Sequence, residues 1–203
     1  LADAVVAASR SVSGAGMVVE GERLWQPGPA WIERANITAY LRWLRQERGL
    51  EFADYDALWR WSVEHLDEFW ETVWNYFRVE SSAPYSAVLA SREMPGAQWF
   101  PGARLNYAQL ALRHESQDGD ALIALSESRP PQSLSWPQLA AEVRKVATGL
   151  RELGVGAGDR VVAYLPNIPE AVIALLATAS VGAIWSSCSP DFGTRSVLDR
   201  FTQ

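Results

Sequence analysis

The residues of this chain best suited to contact a ligand lie in one short segment, Ser186 to Gly193, which reads SSCSPDFG. It directly follows an apolar run that predicts a β-strand, and Ser, Pro, Asp and Gly are residues typical of loops. Open parallel sheets bind their ligands outside the carboxyl ends of their strands. The segment is therefore a candidate ligand contact. The alternative is a turn that only links the strand to the next helix.

Three side chains, one of them within this segment, belong to types that act as nucleophiles or metal ligands. Cys188 has no histidine nearby in sequence to activate it, which favours a structural role. His65 and His114 have no spaced Cys, His or carboxylate partners, so we expect surface or helix-capping positions. The sequence thus predicts no catalytic residue and no metal site within these 203 residues.

The glycines Gly154, Gly156 and Gly158 resemble a dinucleotide-binding loop only in composition. That fingerprint follows a strand and opens a helix, so that the helix amino end meets the phosphate. Here the glycines follow a predicted helix and precede a strand, which predicts a turn. A GxxxxGK[ST] phosphate loop and a GxSxG nucleophile elbow are both missing from the sequence.

A βαβ unit is expected to position the candidate loop. The apolar run at 161–165 predicts a strand buried on both faces, and the run at 183–186 predicts the next one. Between them we expect a helix capped by Asn167, with Glu170 completing a capping box. Gly182 is placed to end this helix.

The preceding segment predicts further alternation of helix and strand. The pattern indicates a helix at 103–114, a strand at 121–125 that forms a hairpin with 133–134, and a helix from Ser135 to Gly154. Gln138 completes a capping box with Ser135. This order predicts an α/β fold with a mostly parallel sheet, of which the chain holds the first, incomplete part.

Residues 25–80 are rich in tryptophan and predict helices. We expect a helix capped by Asn36 and ended by Gly49, a short helix at 54–61, and a longer helix capped by Ser62. Interleaved aromatic residues sometimes stack on bases, but that role needs neighbouring basic charge, and here Asp and Glu dominate. An accessory helical cap is the better interpretation.

The Pro-Gly pairs between Pro84 and Pro101 predict an extended linker, with Trp99 and Phe100 inserted into the next domain. Three regions follow from these patterns. We predict a loose extension at 1–23, a tryptophan-rich helical region at 24–93, and the incomplete start of an α/β domain at 94–203.

Composition excludes several classes of protein. A net charge of -6 without a Lys/Arg cluster argues against nucleic-acid binding. The single cysteine excludes a disulfide framework and favours a reducing, cytoplasmic location. The longest apolar stretch falls short of the ~18 residues of a membrane helix, so we expect no membrane insertion. The chain lacks an initiator Met and stops just after a predicted helix begins, which suggests a fragment.

Several segments resemble one enzyme family. The sequences MPGAQWFPGARLNYAQLAL, GDRVVAYLPN and GAIWSSCSPDFG are similar to those of the acetoacetate:CoA ligases, a branch of the adenylate-forming acyl-CoA synthetases. The similarity runs in register from about residue 24 to residue 203. It implies that the whole enzyme uses ATP and Mg²⁺ to convert acetoacetate to an acyl adenylate and transfers the acyl group to CoA.

The resemblance also implies a role for the candidate loop. In related acetyl-CoA synthetases the corresponding stretch lies against the adenine end of CoA, and the matching residues here are Ser189, Pro190, Asp191 and Phe192. Those relatives carry Gly-Gly-Phe where this chain has Pro190-Asp191-Phe192. Two glycines permit close backbone approach, whereas Pro190 and Asp191 bring side chains, so we expect this contact to be altered or lost. Arg200 is within reach of a phosphate, although a solvated position on its helix is the simpler expectation.

Lys145 is the only lysine in the chain and falls inside a predicted helix. The family uses a lysine of a C-terminal domain and a Ser/Thr/Gly-rich loop ending in Pro-Lys, because carboxylate and triphosphate repel each other and the developing charge must be offset. Without these groups, we expect the fragment alone to be inactive and to bind no cofactor tightly. Two alternatives remain: a non-catalytic interaction or regulatory module, or the same ligase chemistry on another short-chain acid.

Overall fold

The computed structural model describes residues 19–203, so most of the predicted extension at 1–23 lies outside the described residues. Residues 19–23 form a turn, in which the amide of Glu22 donates to the carbonyl of Val19 at 3.0 Å. The chain divides into two compact units, one ending at Leu58 and the other covering Trp59–Gln203.

The first unit is helical. Its elements are α1 (Pro29–Arg34), α2 (Asn36–Trp43), a π-helical turn (Leu44–Arg48) and the start of α3 (Tyr55–Glu64). Asn36 does not cap α2, because the helix begins one residue earlier than predicted and Ala35 takes the cap position. The predicted stop is confirmed: Gly49 has φ +66, a left-handed conformation that glycine adopts without steric cost.

The second unit combines helices with three strand pairs. Its remaining elements are α4 (Leu66–Tyr76), β1 (Leu89–Ser91), β2 (Gln98–Trp99), α5 (Tyr107–Leu112), β3 (Asp120–Ala124), β4 (Gln132–Ser135), α6 (Trp136–Glu152), β5 (Arg160–Tyr164), α7 (Pro169–Ser180), β6 (Ile184–Cys188) and α8 (Thr194–Phe201).

The break between α3 and α4 lies three residues later than the sequence predicts. Ser62 is inside α3, where its hydroxyl donates to the carbonyl of Trp59 at 2.7 Å, so its predicted role as a helix cap is wrong. His65 occupies the cap position of α4, although its side chain makes no capping hydrogen bond. A side-chain hydroxyl that bonds back within its own turn leaves the helix uninterrupted.

Trp99 and Phe100 insert into an aromatic cluster on α4 rather than into the following α/β region. The Trp99 ring lies 5.7 Å from that of Trp70, and the Phe100 ring stacks at 4.5 Å on that of Trp74. Tyr85 adds an edge contact to Phe100 at 5.2 Å. The segment around them is not merely extended, because β1 and β2 form a short antiparallel pair.

The βαβ unit is confirmed. Strands β5 and β6 pair in parallel, with Arg160 opposite Ile184 and Tyr164 opposite Cys188, and α7 connects them. The hairpin is also confirmed, because β3 and β4 pair antiparallel with Leu122 opposite Leu134. The parallel part of the sheet within residues 19–203 is thus the single pair β5–β6.

The core of the second unit lies between α6, α7 and α5. It is built from small and branched apolar side chains that exclude water at close helix contact: Ala108, Leu139, Val143, Ala147, Ile173, Leu176 and Ala177. The predicted capping box of α6 is present in full. The amide of Gln138 donates to the Ser135 hydroxyl, and the amide of Ser135 donates to the Gln138 side chain at 2.8 Å.

The start of α7 differs from the prediction. Ile168 takes the cap position and Pro169 the first helical position, so Asn167 stands one residue too early to cap and Glu170 is too early to complete a box. The fixed φ of proline suits the first helical residue, which explains why the helix begins there. Its end is as predicted, since Gly182 has φ +78.

One face of the β5–β6 pair is exposed. Val162 is 48% exposed and Ile184 is 54% exposed, so the prediction of a strand buried on both faces is wrong for this chain. Exposure alternates along β5, as it does in a strand covered on a single side.

Candidate functional site

The strand β6 runs to Cys188, so the first three residues of the predicted loop belong to the strand, and the loop proper is a tight turn that begins at Ser189. The amide of Phe192 donates to the carbonyl of Ser189 at 3.1 Å, which closes a four-residue turn with Pro190 at its second position. Proline favours that position because its φ is already fixed at the required value. Asp191 stands third, and its carboxylate accepts from the Ser189 hydroxyl at 3.0 Å.

A tyrosine of the neighbouring strand holds this turn. The hydroxyl of Tyr164, the last residue of β5, donates to the carbonyl of Phe192 at 2.8 Å and lies 3.0 Å from the carbonyl of Pro190. The parallel register brings this about, since Tyr164 is paired with Cys188, the last residue before the turn. Two strands therefore position one loop.

Helix α8 closes the other side of the loop. It begins after Gly193 without a side-chain cap. The guanidinium carbon of Arg200 lies 4.6 Å from the centre of the Phe192 ring, in a cation–π contact. Arg200 is therefore exposed but not merely solvated, and it holds a positive charge against the loop.

The sequence predicts four consecutive loop residues as one group that contacts a ligand. In the structure they lie together in the turn, but they differ in exposure. Ser189, Pro190 and Asp191 are exposed, whereas Phe192 is half-buried beneath Arg200. The exposed edge of the loop thus offers a proline ring, a carboxylate and a nearby guanidinium.

Cys188 is buried, with 4% of its surface exposed. A nucleophilic thiol must meet its substrate as a thiolate in a partly exposed, electropositive place. The burial at the end of β6 supports the structural role predicted for this residue.

A polar cleft opens at the same edge of the sheet, next to the carboxyl end of β5. It has a volume of about 210 Å³ and lies between the β3–β4 turn, residues 124–132, and residues 166–169. Ser126, Ser128 and Arg129 contribute polar groups to its wall. The cleft is large enough for a small polar group, and sequence patterns did not indicate it because its walls are 34 to 45 residues apart in sequence.

The remaining candidates lie away from this edge. The ammonium of Lys145 pairs with the carboxylate of Glu142 at 2.6 Å on the exposed side of α6. His65 lies 3.5 Å from Glu68, and the His114 ring packs 5.4 Å from that of Trp136. The two histidines therefore serve local helix contacts.

The glycine segment is a turn, as predicted. Gly154 and Gly158 have φ +84 and +87, and the amide of Gly158 donates to the carbonyl of Gly182 at 3.0 Å. The amide of Gly156 donates to the carboxylate of Asp159 at 2.8 Å. A bond within the turn occupies the amide of Gly156, and a bond to Gly182 occupies that of Gly158, so neither amide is available to a phosphate.

Within residues 19–203, no group of three or more His, Cys, Asp or Glu side chains is arranged to hold a metal ion. Over the same range, no helix combines the length and apolar character required to cross a bilayer.

Sequence reasoning missed the role of Tyr164. It treated this residue only as part of an apolar strand, although an aromatic ring with a polar tip at a strand end often bonds to a neighbouring loop. Asn106 was also missed, although Asn106 followed by Gln109 before an apolar run is a helix-start signal.

Models of two protein families match most of the second unit. Residues 111–202 match the AMP-binding enzyme family, and residues 55–111 match the acetyl-coenzyme A synthetase N-terminus. A solved structure, acetoacetyl-CoA synthetase from Streptomyces lividans, is 52% identical with a TM-score of 0.84 and covers 89% of this chain. Over most of its length the chain is similar to the acyl-CoA synthetases among the AMP-binding enzymes.

Two further proteins are similar to this chain in sequence. The acetoacetyl-coenzyme A synthetase of Rhizobium meliloti is 45% identical over 91% of the chain. A malonamoyl-CoA synthetase of Penicillium aethiopicum is 35% identical over 90% of it. The chain spans 28% and 26% of the length of these two relatives, and 28% of the Streptomyces structure. It thus corresponds to the N-terminal part of the synthetase fold.

Proposed function

We propose that the complete protein carrying this chain is an acid-thiol ligase that activates acetoacetate with ATP and Mg²⁺ and transfers the acyl group to CoA. The observation that carries this proposal is the similarity to the acetoacetyl-CoA synthetase of Streptomyces lividans over nearly the whole chain. At 52% identity and a TM-score of 0.84, the two folds are comparable over 89% of this chain.

The chain supplies scaffold and one substrate contact rather than the reacting groups. Activation of a carboxylate by ATP requires cations that offset the charge of the triphosphate in the transition state. The single lysine of this sequence, Lys145, is engaged by Glu142 on an outer helix face. The groups that perform the chemistry therefore belong to other parts of the complete protein, and we expect the 203 residues alone to be inactive.

We further propose that Ser189, Pro190, Asp191 and Phe192 contact the adenine end of CoA. Their position at the carboxyl end of β6, where parallel sheets bind ligands, supports this assignment. Arg200 stands close enough to Phe192 to add positive charge beside a CoA phosphate. The regions we propose are a helical accessory region at 24–93 and the beginning of the adenylation domain at 94–203. The two family matches follow the same order, but they meet at residue 111.

A second candidate keeps the reaction and changes the acid. The similarity to a malonamoyl-CoA synthetase favours it, because malonamate is acetoacetate with an amide in place of the methyl ketone. The two acids differ at the end remote from the carboxylate. A site built to hydrogen-bond the amide would reject the ketone strongly, and the reverse discrimination would be weaker.

Activity measurements on the complete protein test both candidates. We expect acetoacetate-dependent formation of AMP and a CoA thioester, with malonamate and acetate as parallel substrates. Higher kcat/KM with malonamate would favour the second candidate, and no thioester with any of these acids would refute the proposal.

Calorimetry of the 203 residues alone is a separate test of the scaffold role. Micromolar binding of ATP to this chain would contradict it, because ATP binding would then not need the remainder of the protein. A cytoplasmic location, consistent with the single unpaired cysteine, is checked by fractionation.

A further inference from the structure

The loop that follows β6 is held by a side chain outside it. Tyr164 bonds through its hydroxyl to the carbonyls of Pro190 and Phe192, 26 and 28 residues away in sequence. These are the side-chain hydrogen bonds that reach the loop from another element in the described part of the chain. We propose that Tyr164 is the positioning residue of the loop, and, resting on the proposed function, that it sets the affinity for CoA.

The internal bonds of the loop do not fix its orientation. The turn bond from Phe192 to Ser189 and the bond from the Ser189 hydroxyl to Asp191 both join residues within the same four positions. They set the local shape, but such a turn would still pivot about the end of β6. A bond to a different strand removes this freedom, because β5 is itself fixed by its ladder with β6.

The phenol is suited to this task by its geometry. The Tyr164 side chain is 52% exposed, so its ring contributes little to the core. A hydroxyl has one proton and shares it between the two carbonyls, with the 2.8 Å contact to Phe192 as the shorter. Since Phe192 also packs beneath Arg200, the tyrosine fixes the backbone of the residue whose ring the arginine covers.

Tyr164→Phe is the direct test, because it removes the hydroxyl and keeps the ring. Tyr107→Phe is the matched control: Tyr107 is 67% exposed, and its hydroxyl has no hydrogen-bond partner within residues 19–203. The first measurement is amide hydrogen exchange at Phe192 in this chain. We expect exchange to become about 10-fold faster in Tyr164→Phe and to stay unchanged in Tyr107→Phe.

The second measurement uses the complete protein and separates its two half-reactions. We expect the KM for CoA to rise about 10-fold in Tyr164→Phe, while the CoA-independent exchange of pyrophosphate into ATP keeps its rate. A merely structural role would lower both half-reactions together.

The outcomes separate the two proposals. Unchanged exchange at Phe192 would overturn the positioning role of Tyr164. Faster exchange with an unchanged KM for CoA would leave that role standing and overturn the assignment of the loop to CoA. Faster exchange together with a higher KM supports both.

Discussion

Asn106 joins two helices of the second unit, and replacing it should reveal how much each half of its side chain contributes. The Oδ1 atom accepts from the amide of Gln109 at 3.2 Å and caps the start of α5. The Nδ2 atom donates to the carbonyl of Ala179 at 3.1 Å and lies 3.4 Å from that of Ser180, both at the end of α7. One amide therefore satisfies backbone groups at two helix ends.

The expected cost can be divided between these contacts. A lost N-cap costs about 1 kcal/mol, and a lost hydrogen bond to a partly buried carbonyl costs about another 1 kcal/mol. Asn106→Ala removes both and should lower the free energy of unfolding by about 2 kcal/mol. Asn106→Ser keeps a good cap but is too short to reach α7, so it should cost about 1 kcal/mol.

Asn106→Asp tests the hydrogen bond that the Nδ2 atom of Asn106 donates to α7 separately from the helix cap. Aspartate caps as well as asparagine, but it cannot donate to the carbonyls of Ala179 and Ser180. Its charge would also lie at the negative end of α7, which is unfavourable. We expect it to be less stable than Asn106→Ser at neutral pH, by up to about 1 kcal/mol.

Urea unfolding followed by circular dichroism measures the series. Asn75→Ser serves as the control, because Asn75 is exposed on α4 and its side chain has no hydrogen bond within the described residues. Stability of Asn106→Ser equal to that of the unmodified chain would refute the link between the two helices. Equal stability of the Ser and Ala variants would refute the cap.

Other substitutions test single features of the fold. Ser135→Ala breaks the capping box of α6 and should cost about 1 kcal/mol in urea unfolding. Thr178→Val should raise the unfolding midpoint, because the Thr178 hydroxyl is fully buried and has no hydrogen-bond partner within residues 19–203; an unchanged or lower midpoint would count against this. Gly182→Ala should cost more than Gly154→Ala. Both glycines have positive φ, but only at Gly182 would the new Cβ meet a neighbour, 3.2 Å from the Cβ of Ala157. Equal costs in thermal melts would refute the steric part.

The features that sequence reasoning predicted correctly are local ones. The capping box of α6 needs only Ser135 and Gln138, which are three residues apart, so the chain itself specifies the geometry. Gly49 and Gly182 end their helices because a left-handed residue is needed there and glycine adopts that conformation most easily. The βαβ unit follows from an apolar run, a helix and a second run, each bounded by Pro or Gly.

Two of the wrong predictions concern contacts between elements that are far apart in sequence, and a third concerns a helix start. The partners of Trp99 and Phe100 are on α4, and a linker pattern does not say which of two neighbouring regions an aromatic side chain enters. The apolar run of β5 resembles a strand buried on two sides, yet Val162 is 48% exposed and exposure alternates along the strand, as it does where only one face is covered. At the start of α7, Pro169 fixed the first helical residue and overrode the cap that Asn167 would have made.

The candidate site has some features that local sequence predicts and others that depend on contacts between distant elements. A general rule about strand ends placed the loop correctly, and the Ser-Pro-Asp pattern indicated a turn. Its orientation depends on Tyr164 and Arg200, which reach it from β5 and α8. No local pattern encodes such contacts, because they exist only once the parallel register and the following helix are in place.

This arrangement gives a physical meaning to Pro190 and Asp191, which stand where the related acetyl-CoA synthetases carry two glycines. Glycines let a backbone approach a ligand closely but leave it free to adopt many conformations. Proline fixes one dihedral angle, and the Asp191 carboxylate adds a bond to Ser189 within the turn. Tyr164 also bonds to two carbonyls of the loop from outside it. The loop is therefore more rigid than two glycines would make it, but its backbone approaches a ligand less closely. If it contacts CoA as proposed, that contact is made by a preformed surface, which lowers the entropy cost of binding.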